Sequence, residues 1–453
     1  MKLNLQSKTL KFSVSGLRGV YPDDLNPENI PSLVAAYHKT IGPGEIAIAR
    51  DTRPTGAAIE KLVEGTLTAL GRNVHVLGIV PTPTIKAYVA EKKLAGAIMI
   101  SASHNPVQYN AFKFIQKGGF FFDEEKNRLW LNFLNEKLSW GTYQKQGRSI
   151  DAHKEAIQLH IQSVIKRVFP DLKTVKNKKN IRVAVDTLGA CATEIIPAML
   201  KELGIHYEML FPEFENNFPR PPEPVEASLS KLKKLVREKK CDLGLAYDPD
   251  ADRLALVDSE GNAIGEELTL PLSMMQALLD KKGAVVVNLS SSYYNNHVAA
   301  HMGCKIIRSK VGEAHVVTSM LKNRAIFGGE GNGGVIDPLI PSLGRDSISG
   351  TAWILSLILE SKKSVTEIVN TLPRYYMKKI ALKCEKKEFD QLVKKIENIR
   401  TDWIINKLDG YHFSAKEGLP WIHLRSSNTE PIVRIIVETD SKSELKSLLQ
   451  KIE

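Results

Sequence analysis

The chain has 453 residues, 43% hydrophobic and 25% charged, with 62 Lys and Arg against 51 Asp and Glu, a surplus of 11 positive charges. That length exceeds one hydrophobic core and implies three or four domains of ~100–150 residues each, and the composition excludes a disordered or fibrous chain. Residues 1–19 lack an apolar segment, no apolar run approaches the ~18 residues of a membrane span, and the four cysteines (Cys191, Cys241, Cys304, Cys384) form no CxxC pair, so a cytoplasmic protein with neither a disulfide framework nor a zinc cluster is expected.

Residues 12–20 begin as an apolar strand, broken by Gly16 and Gly19 around Arg18; the glycines permit a sharp turn that aims the guanidinium fork at an anion. Residues 46–50 read as a strand. A helix follows, with Ile59, Leu62, Val63, Thr66, Leu67 and Leu70 on one face and Gly71 as its stop. Residues 73–78 alternate as the next strand, and 80–84 open another helix. The apolar run 97–100 has the pattern of a strand buried on both faces, and it ends at Ser101-Ala102-Ser103-His104-Asn105-Pro106. Ligands of open α/β sheets sit beyond the carboxyl ends of strands. Ser103 is therefore a candidate nucleophile, with His104 and Asn105 placed to hydrogen-bond a group attached to it. A plain turn rich in Ser, Asn and Pro is the competing reading of this loop taken alone.

Residues 144–154 read as a link to a second unit. The densest basic run, Lys166, Arg167, Lys173, Lys176, Lys178 and Lys179, has few interleaved aromatics and reads as a surface linker. The expected partners are thus small anions, not nucleic acid or membrane. The second unit takes strands at 181–186 and 206–210, a helix burying Ile195, Met199, Leu200 and Leu203, and a proline-rich loop at 211–224. Its strand 243–247 runs into Asp248-Pro249-Asp250-Ala251-Asp252-Arg253. A hairpin is expected around Glu260-Gly261-Asn262. The rhythm repeats with strands 284–288, 305–308 and 324–328, the loop Gly329-Glu330-Gly331-Asn332-Gly333-Gly334 and a helix at 349–359. From about residue 373 an amphipathic helix (Phe389, Leu392, Val393, Ile396, Ile399), paired strands at 421–424 and 432–438 and a charged helix at 441–453 indicate a small α+β domain.

The acidic loop carries the clearest chemistry. Asp248, Asp250 and Asp252 alternate, so an extended backbone places all three carboxylates on one side. Two carboxylates about 4 Å apart repel by roughly 4 kcal/mol at an effective dielectric of about 20, so three need a cation or must protonate. All-oxygen ligation favours Mg²⁺. An EF-hand is excluded, since Arg253 stands where its glycine belongs and Ser259 where its bidentate glutamate belongs; a solvated acidic turn remains the alternative. In the last domain Arg425, Ser427, Asn428, Thr429 and Arg434 surround a tight turn whose backbone N–H groups form a natural phosphate nest.

Taken together and in this order, the four loops resemble those of the α-D-phosphohexomutase family, which holds phosphoglucomutase, phosphomannomutase and phosphoglucosamine mutase. Ser101 to Pro106 is similar to the family's phosphoserine loop, Asp248 to Arg253 to its metal loop, Gly329 to Gly334 to its sugar loop, and Arg425 to Pro431 to its phosphate loop. The resemblance implies three related α/β domains with mixed sheets (1–150, 151–255, 256–372) and a C-terminal α+β domain (373–453) around a central cleft. It implies an isomerase that moves a phosphoryl group between positions one and six of a hexose through phosphorylated Ser103 and a hexose bisphosphate, which also serves as activator.

Mg²⁺ would be held by Asp248, Asp250, Asp252 and Ser103. Arg18 and Lys113 match the family's Gly-Ile-Arg-Gly and Asn-Gly-x-Lys motifs and would assist proton transfer and anion stabilisation, with His104 beside the serine. Arg253 would stabilise the seryl phosphate, and Glu330 and Asn332 would hold sugar hydroxyls. Arg425, Ser427, Asn428, Thr429 and Arg434 would grip the phosphate that does not react. Departures exist: many members carry Ser and His at the positions of Asn332 and Gly334, so a family histidine is missing and His315 is a candidate replacement. Pro249 and Ala111 each replace a common glycine. The combination of Asp-Pro-Asp, Val311-Gly312-Glu313 and Gly-Glu-Gly-Asn-Gly-Gly is most similar to a bacterial and archaeal branch read as phosphoglucosamine mutase. Phosphomannomutase/phosphoglucomutase activity and a non-catalytic phosphosugar-binding role on the same scaffold are the alternatives. A monomer or homodimer is expected.

Overall fold

The computed structural model describes residues 7, 9–13, 16–134, 136, 140–171, 181–279, 281–383, 386–426 and 432–452. A four-strand unit occurs three times. The first uses Ile46–Arg50, Val74–Ile79, Gly96–Ile100 and Tyr109–Gln116; the second Arg182–Asp186, His206–Leu210, Leu243–Tyr247 and Leu254–Asp258. The third uses Ala284–Asn288, Lys305–Ser309, Phe327–Glu330 and Gly334–Ile336. In each sheet these strands lie in the order second, first, third, fourth, the first three parallel and the fourth antiparallel. Parallel neighbours need crossovers, and helices supply them: Gly56–Ala69 and Thr82–Glu91, then Ala192–Leu203 and Ser230–Glu238, then Tyr294–His301 and Glu313–Asn323. The reversal from third to fourth strand needs only a short loop. It therefore falls at the same topological point in all three units, at residues 101–108, 248–253 and 331–333.

Lys11–Ser13, Gly16–Val20, Phe120–Phe121 and Ser149–Asp151 extend the first sheet to eight strands. The last domain is a five-stranded antiparallel sheet, in the order Tyr376–Lys383, Ile432–Thr439, Trp421–Ser426, Tyr411–Ser414, Ile404–Asn406, and it shares a core with helices Lys386–Glu397 and Lys442–Ile452. One apolar core runs through all three α/β units. The helix Ser347–Ser361 is buried from Ser347 to Leu359, so apolar residues on every side find partners. Asp346 caps it, accepting from Ile348 and Ser349 N–H groups, and also meets His160 Nε2 at 3.0 Å. Among the described residues no helix is long and apolar enough to cross a membrane, and Cys191, Cys241 and Cys304 are free thiols; Cys384 lies outside the described residues.

Several sequence expectations change in detail. The presumed link at 144–154 contains Ser149–Asp151, which pairs in parallel with Val74–Val76 and so closes the first sheet, and the start of helix His153–Val168. Lys166 and Arg167 belong to that helix, and Arg167 pairs with Asp337 at 2.9 Å and stacks over Trp353; the rest of the basic run is outside the described residues. The strand expected at 324–328 is Phe327–Glu330, because Arg324 ends the preceding helix in a left-handed turn. Around Gly261 the chain turns on the Asp258 carboxylate, which accepts from Glu260 and Asn262 N–H groups. Its return makes one bridge, Val257 to Ala263, instead of a hairpin strand.

Candidate active site at the strand reversals

The serine loop is held from behind. All five residues of Gly96–Ile100 are buried, and the chain leaves that strand at Ser101. Ser101 Oγ donates to Asp51 Oδ2 at 2.6 Å and accepts from Ser103 N–H at 3.0 Å. Arg53, fully buried, donates to the backbone carbonyls of Ser103, Asn105, Pro106 and Tyr109 and pairs with Asp51 at 2.9 Å. Ser103 itself sits at φ 51°, a left-handed conformation costing about 1–3 kcal/mol, which the surrounding bonds must over-determine. Neither Asp51 nor Arg53 was singled out from the sequence; their only signal is a polar Asp-Thr-Arg segment directly after a strand.

The second unit brings its acids to this hydroxyl. Ser103 Oγ donates to Asp248 Oδ2 at 3.1 Å, across 145 residues of chain. Asp248, Asp250 and Asp252 are buried and offer ligand atoms within 4.8 Å of one another. Their convergence has a different cause from the extended backbone expected. The loop curls: Asp248 Oδ1 accepts from the N–H groups of Asp252 and Arg253, and Ala251 turns at φ 50°. The choice between cation and protonation was also too narrow, because protein cations take part. Lys113 Nζ lies 2.5 Å from Asp250 Oδ2, which Thr82 Oγ1 also approaches, and Arg345 Nη2 lies 2.6 Å from Asp252 Oδ2.

The charges follow from these contacts. Burial, with Asp252 and Asp250 beside it, holds the Asp248 carboxyl well above its ordinary range. Burial pushes Asp250 the same way, but the Lys113 charge and the hydrogen bonds from Lys113 and Thr82 outweigh it and bring Asp250 down. Among the described residues Asp250 Oδ1 and Asp252 Oδ1 are buried and accept no hydrogen bond, with Arg253 Nε 3.6 Å from the latter. Two orphaned carboxylate oxygens next to Asp248 and a serine hydroxyl make a hard, all-oxygen donor set, so these residues fit a divalent cation of the Mg²⁺ type.

Cations surround the remaining space. Arg18 lies in the middle of Gly16–Val20, paired with strands on both sides and not in a glycine turn, and its Nη1 reaches Asn105 Oδ1 at 2.5 Å. Arg253 Nη1 pairs with Glu223 at 3.0 Å. The fields of Arg253, then burial, then Arg18 and Arg345 lower His104 to about 2, so its ring is neutral at 3.4 Å from Ser103 Oγ.

Glu330, Asn332, Arg425 and Arg434 line one cavity of about 340 Å³ between the third unit and the last domain, together with Glu267, Lys379 and His423. Glu330 accepts from Asn288 Nδ2 at 2.7 Å, Gly312 N–H at 2.9 Å and Arg345 Nη1 at 3.0 Å. Arg345 thus joins the loop at 329–334 to the acidic loop, and it was missed in the sequence, as was Glu267, whose carboxyl burial lifts to about 7. Among the described residues Asn332 Oδ1 is buried without a hydrogen-bond partner. Arg425 is held by Asp409 at 3.0 Å and faces Arg434 across the strand pair. Ser427, Asn428 and Thr429 lie outside the described residues. His315 is half-buried on helix Glu313–Asn323, with Lys310, Asp409, Glu124 and Arg425 in its field.

Comparison with known proteins agrees with this layout. Models of the phosphoglucomutase/phosphomannomutase family match along the chain: α/β/α domain I at 9–138, domain II at 158–261, domain III at 269–376 and the C-terminal domain at 380–453. A Methanopyrus kandleri protein named probable phosphoglucosamine mutase is 32% identical over 441 residues, 96% of this chain and 95% of its own. A phosphoglucomutase/phosphomannomutase of Thermococcus kodakarensis is 29% identical, covering 97% and 96%. The crystal structure of a Burkholderia thailandensis phosphoglucomutase/phosphomannomutase family protein shares the fold with a TM-score of 0.81 at 21% identity, covering 98% of this chain and 96% of that one. The four domain models follow one another along the three serial α/β units and the fourth domain, and this chain belongs to the phosphoglucomutase/phosphomannomutase family.

Proposed function

We propose that the protein is a Mg²⁺-dependent mutase that interconverts hexose 6-phosphate and hexose 1-phosphate, with glucosamine phosphate as its preferred substrate. The observation that carries this reading is the 3.1 Å approach of Ser103 Oγ to Asp248 Oδ2, a hydroxyl of one unit set against the acids of another. Phosphorylated Ser103 gives its phosphoryl group to the free hydroxyl of a hexose monophosphate, the bisphosphate reorients, and its other phosphate returns to Ser103. One P–O bond forms and one breaks in each half. Such transfer needs positioning and charge neutralisation more than covalent assistance. Asp248, Asp250 and Asp252 with the seryl phosphate would hold Mg²⁺, which supplies charge neutralisation when bound.

The remaining roles belong to the chain. Arg18 and Arg253 stabilise the phosphoryl oxygens, and neutral His104 hydrogen-bonds the serine oxygen. Lys113 aligns Asp250 and assists proton transfer and anion stabilisation. Glu330 uses three of its roughly four acceptor positions within the protein, leaving one for a sugar hydroxyl, and the orphaned Asn332 Oδ1 offers another. Arg425 and Arg434, with Ser427, Asn428 and Thr429, hold the distal phosphate. A cavity near 340 Å³ is within the usual size for a ligand of hexose-phosphate class. The glucosamine preference is supported by the name of the Methanopyrus relative, and the phosphoglucomutase/phosphomannomutase reading by that of the Thermococcus one.

A coupled assay over glucosamine, glucose and mannose phosphates tests this, with Ser103→Ala as control. Turnover with glucosamine 6-phosphate preferred, and a loss of about 10⁴-fold or more in the variant, is expected. A strong preference for mannose phosphate would reverse the substrate order, and full activity of the variant would remove Ser103 from the mechanism.

A further inference from the structure

The buried Arg345 guanidinium touches three carboxylates from three different elements. Its Nη2 donates to Asp252 Oδ2 at 2.6 Å, Nη1 to Glu330 Oε2 at 3.0 Å and Nε to Glu313 Oε2 at 3.3 Å. The contact with Asp252 has a counterpart in Lys113, which takes Asp250 Oδ2 and lies 3.9 Å from the Asp252 oxygen that Arg345 holds. In both residues Oδ2 is engaged by a cation, while among the described residues Oδ1 accepts no hydrogen bond. A planar guanidinium can fix an oxygen on each edge, which an ammonium cannot.

Gly334 makes room for this side chain. A Cβ built there would stand 2.3 Å from Arg345 Cδ and 2.5 Å from its Cγ, so a side chain at 334 and the present Arg345 exclude each other. The same point is 3.1 Å from Asn332 Oδ1, a buried acceptor with no partner among the described residues. Arg345 therefore stands where the acidic loop, the sugar loop and helix Glu313–Asn323 meet.

We propose that Arg345 is a positioning residue for both halves of the site, aligning Asp252 for a divalent cation and Glu330 for the sugar. The sugar half rests on the mutase reading above, while the cation half stands on the aspartates alone. Outer contacts of this kind change metal affinity by roughly 10–100-fold when removed.

The test titrates Mn²⁺ into the intact metal-free protein by calorimetry, and measures kcat and KM for glucosamine 6-phosphate alongside. Arg345→Lys keeps the charge but cannot span Asp252 and Glu330. Expected is a 10–100-fold weaker Mn²⁺ affinity with a raised KM in protein that remains folded by circular dichroism. Gly334→Ala leaves Arg345 in the chain and displaces its stem, so it should shift both constants in the same direction by a smaller factor. Wild-type Mn²⁺ affinity and KM in both variants would overturn the proposal, as would a change in melting temperature with both constants intact, which is the behaviour of a strut. Were the wild-type protein inactive on every hexose phosphate, the mutase reading would fail, yet the Mn²⁺ titration would still decide the cation half.

Discussion

Lys113 and Asp250 form a buried pair 2.5 Å apart, and pairs of this kind respond very differently to losing one partner than to losing both. Lys113→Met strands the Asp250 carboxylate and should cost about 3–5 kcal/mol of stability, read from the urea midpoint at unchanged slope. Asp250→Asn removes one of the carboxylates proposed to hold the cation and should weaken Mg²⁺ dependence and turnover together; an unchanged metal titration would count against the acidic loop. Such residues differ in how visible they are. Ser103 and the three aspartates announce themselves as polar bursts after apolar strands. Arg345 meets Asp252 across 93 residues and Lys86 meets Glu313 across 227, and no local pattern marks either pair. A lone Arg in a loop, or a lone Lys on a helix, looks the same whether it faces water or a buried acid.

Loops and strands show where local reasoning reaches its limit. Alternating aspartates correctly suggested convergence, but a curled loop held by Asp248 achieves it, because two backbone N–H groups needed an acceptor once buried. The serine loop depends likewise on Arg53. Arg53→Lys keeps a charge beside Asp51 but abandons most of four carbonyl contacts, and should destabilise by about 3 kcal/mol or more. In the last sheet burial, then His423 and Arg308, lower His412 to about 3, and its ring stacks on Trp421 at 5.2 Å. An unfolded histidine titrates near 6.5, so below that pH the unfolded chain binds a proton that the folded one refuses. Its contribution is complete above about 6.5 and is lost progressively as the pH falls toward about 3. His412→Phe should flatten this acid limb in pH-dependent urea melts; an identical slope would show that other groups set it.

One apolar core links the first three units, each of which also has a separate cluster of its own, and the last domain has a core apart from these. Polar contacts join the last domain to the third unit: Tyr293 N–H to Glu438 at 2.8 Å, Ser290 Oγ to His423 Nδ1 at 2.9 Å, Val311 N–H to Asp409 at 2.9 Å and Lys379 to Glu267 at 2.7 Å, beside ring contacts of Tyr293 and Tyr294 with Tyr375. Hydrogen bonds exchange with water more readily than apolar surface does, so this interface suits relative motion across the cavity. Hydrogen exchange should find residues 376–452 opening as a separate unit below the free energy of the first three; a single uniform transition would contradict it. The threefold unit was legible as rhythm, since strand and crossover lengths repeat. Which strand turns antiparallel was not, because that depends on loop closure between neighbours. The most direct measurement is peptide mass spectrometry after incubation with a hexose 1,6-bisphosphate. A phosphate on the Ser103 peptide that disappears when hexose 6-phosphate is added is the predicted result. Turnover with that peptide unmodified throughout, or with the phosphate on another residue, would contradict the account.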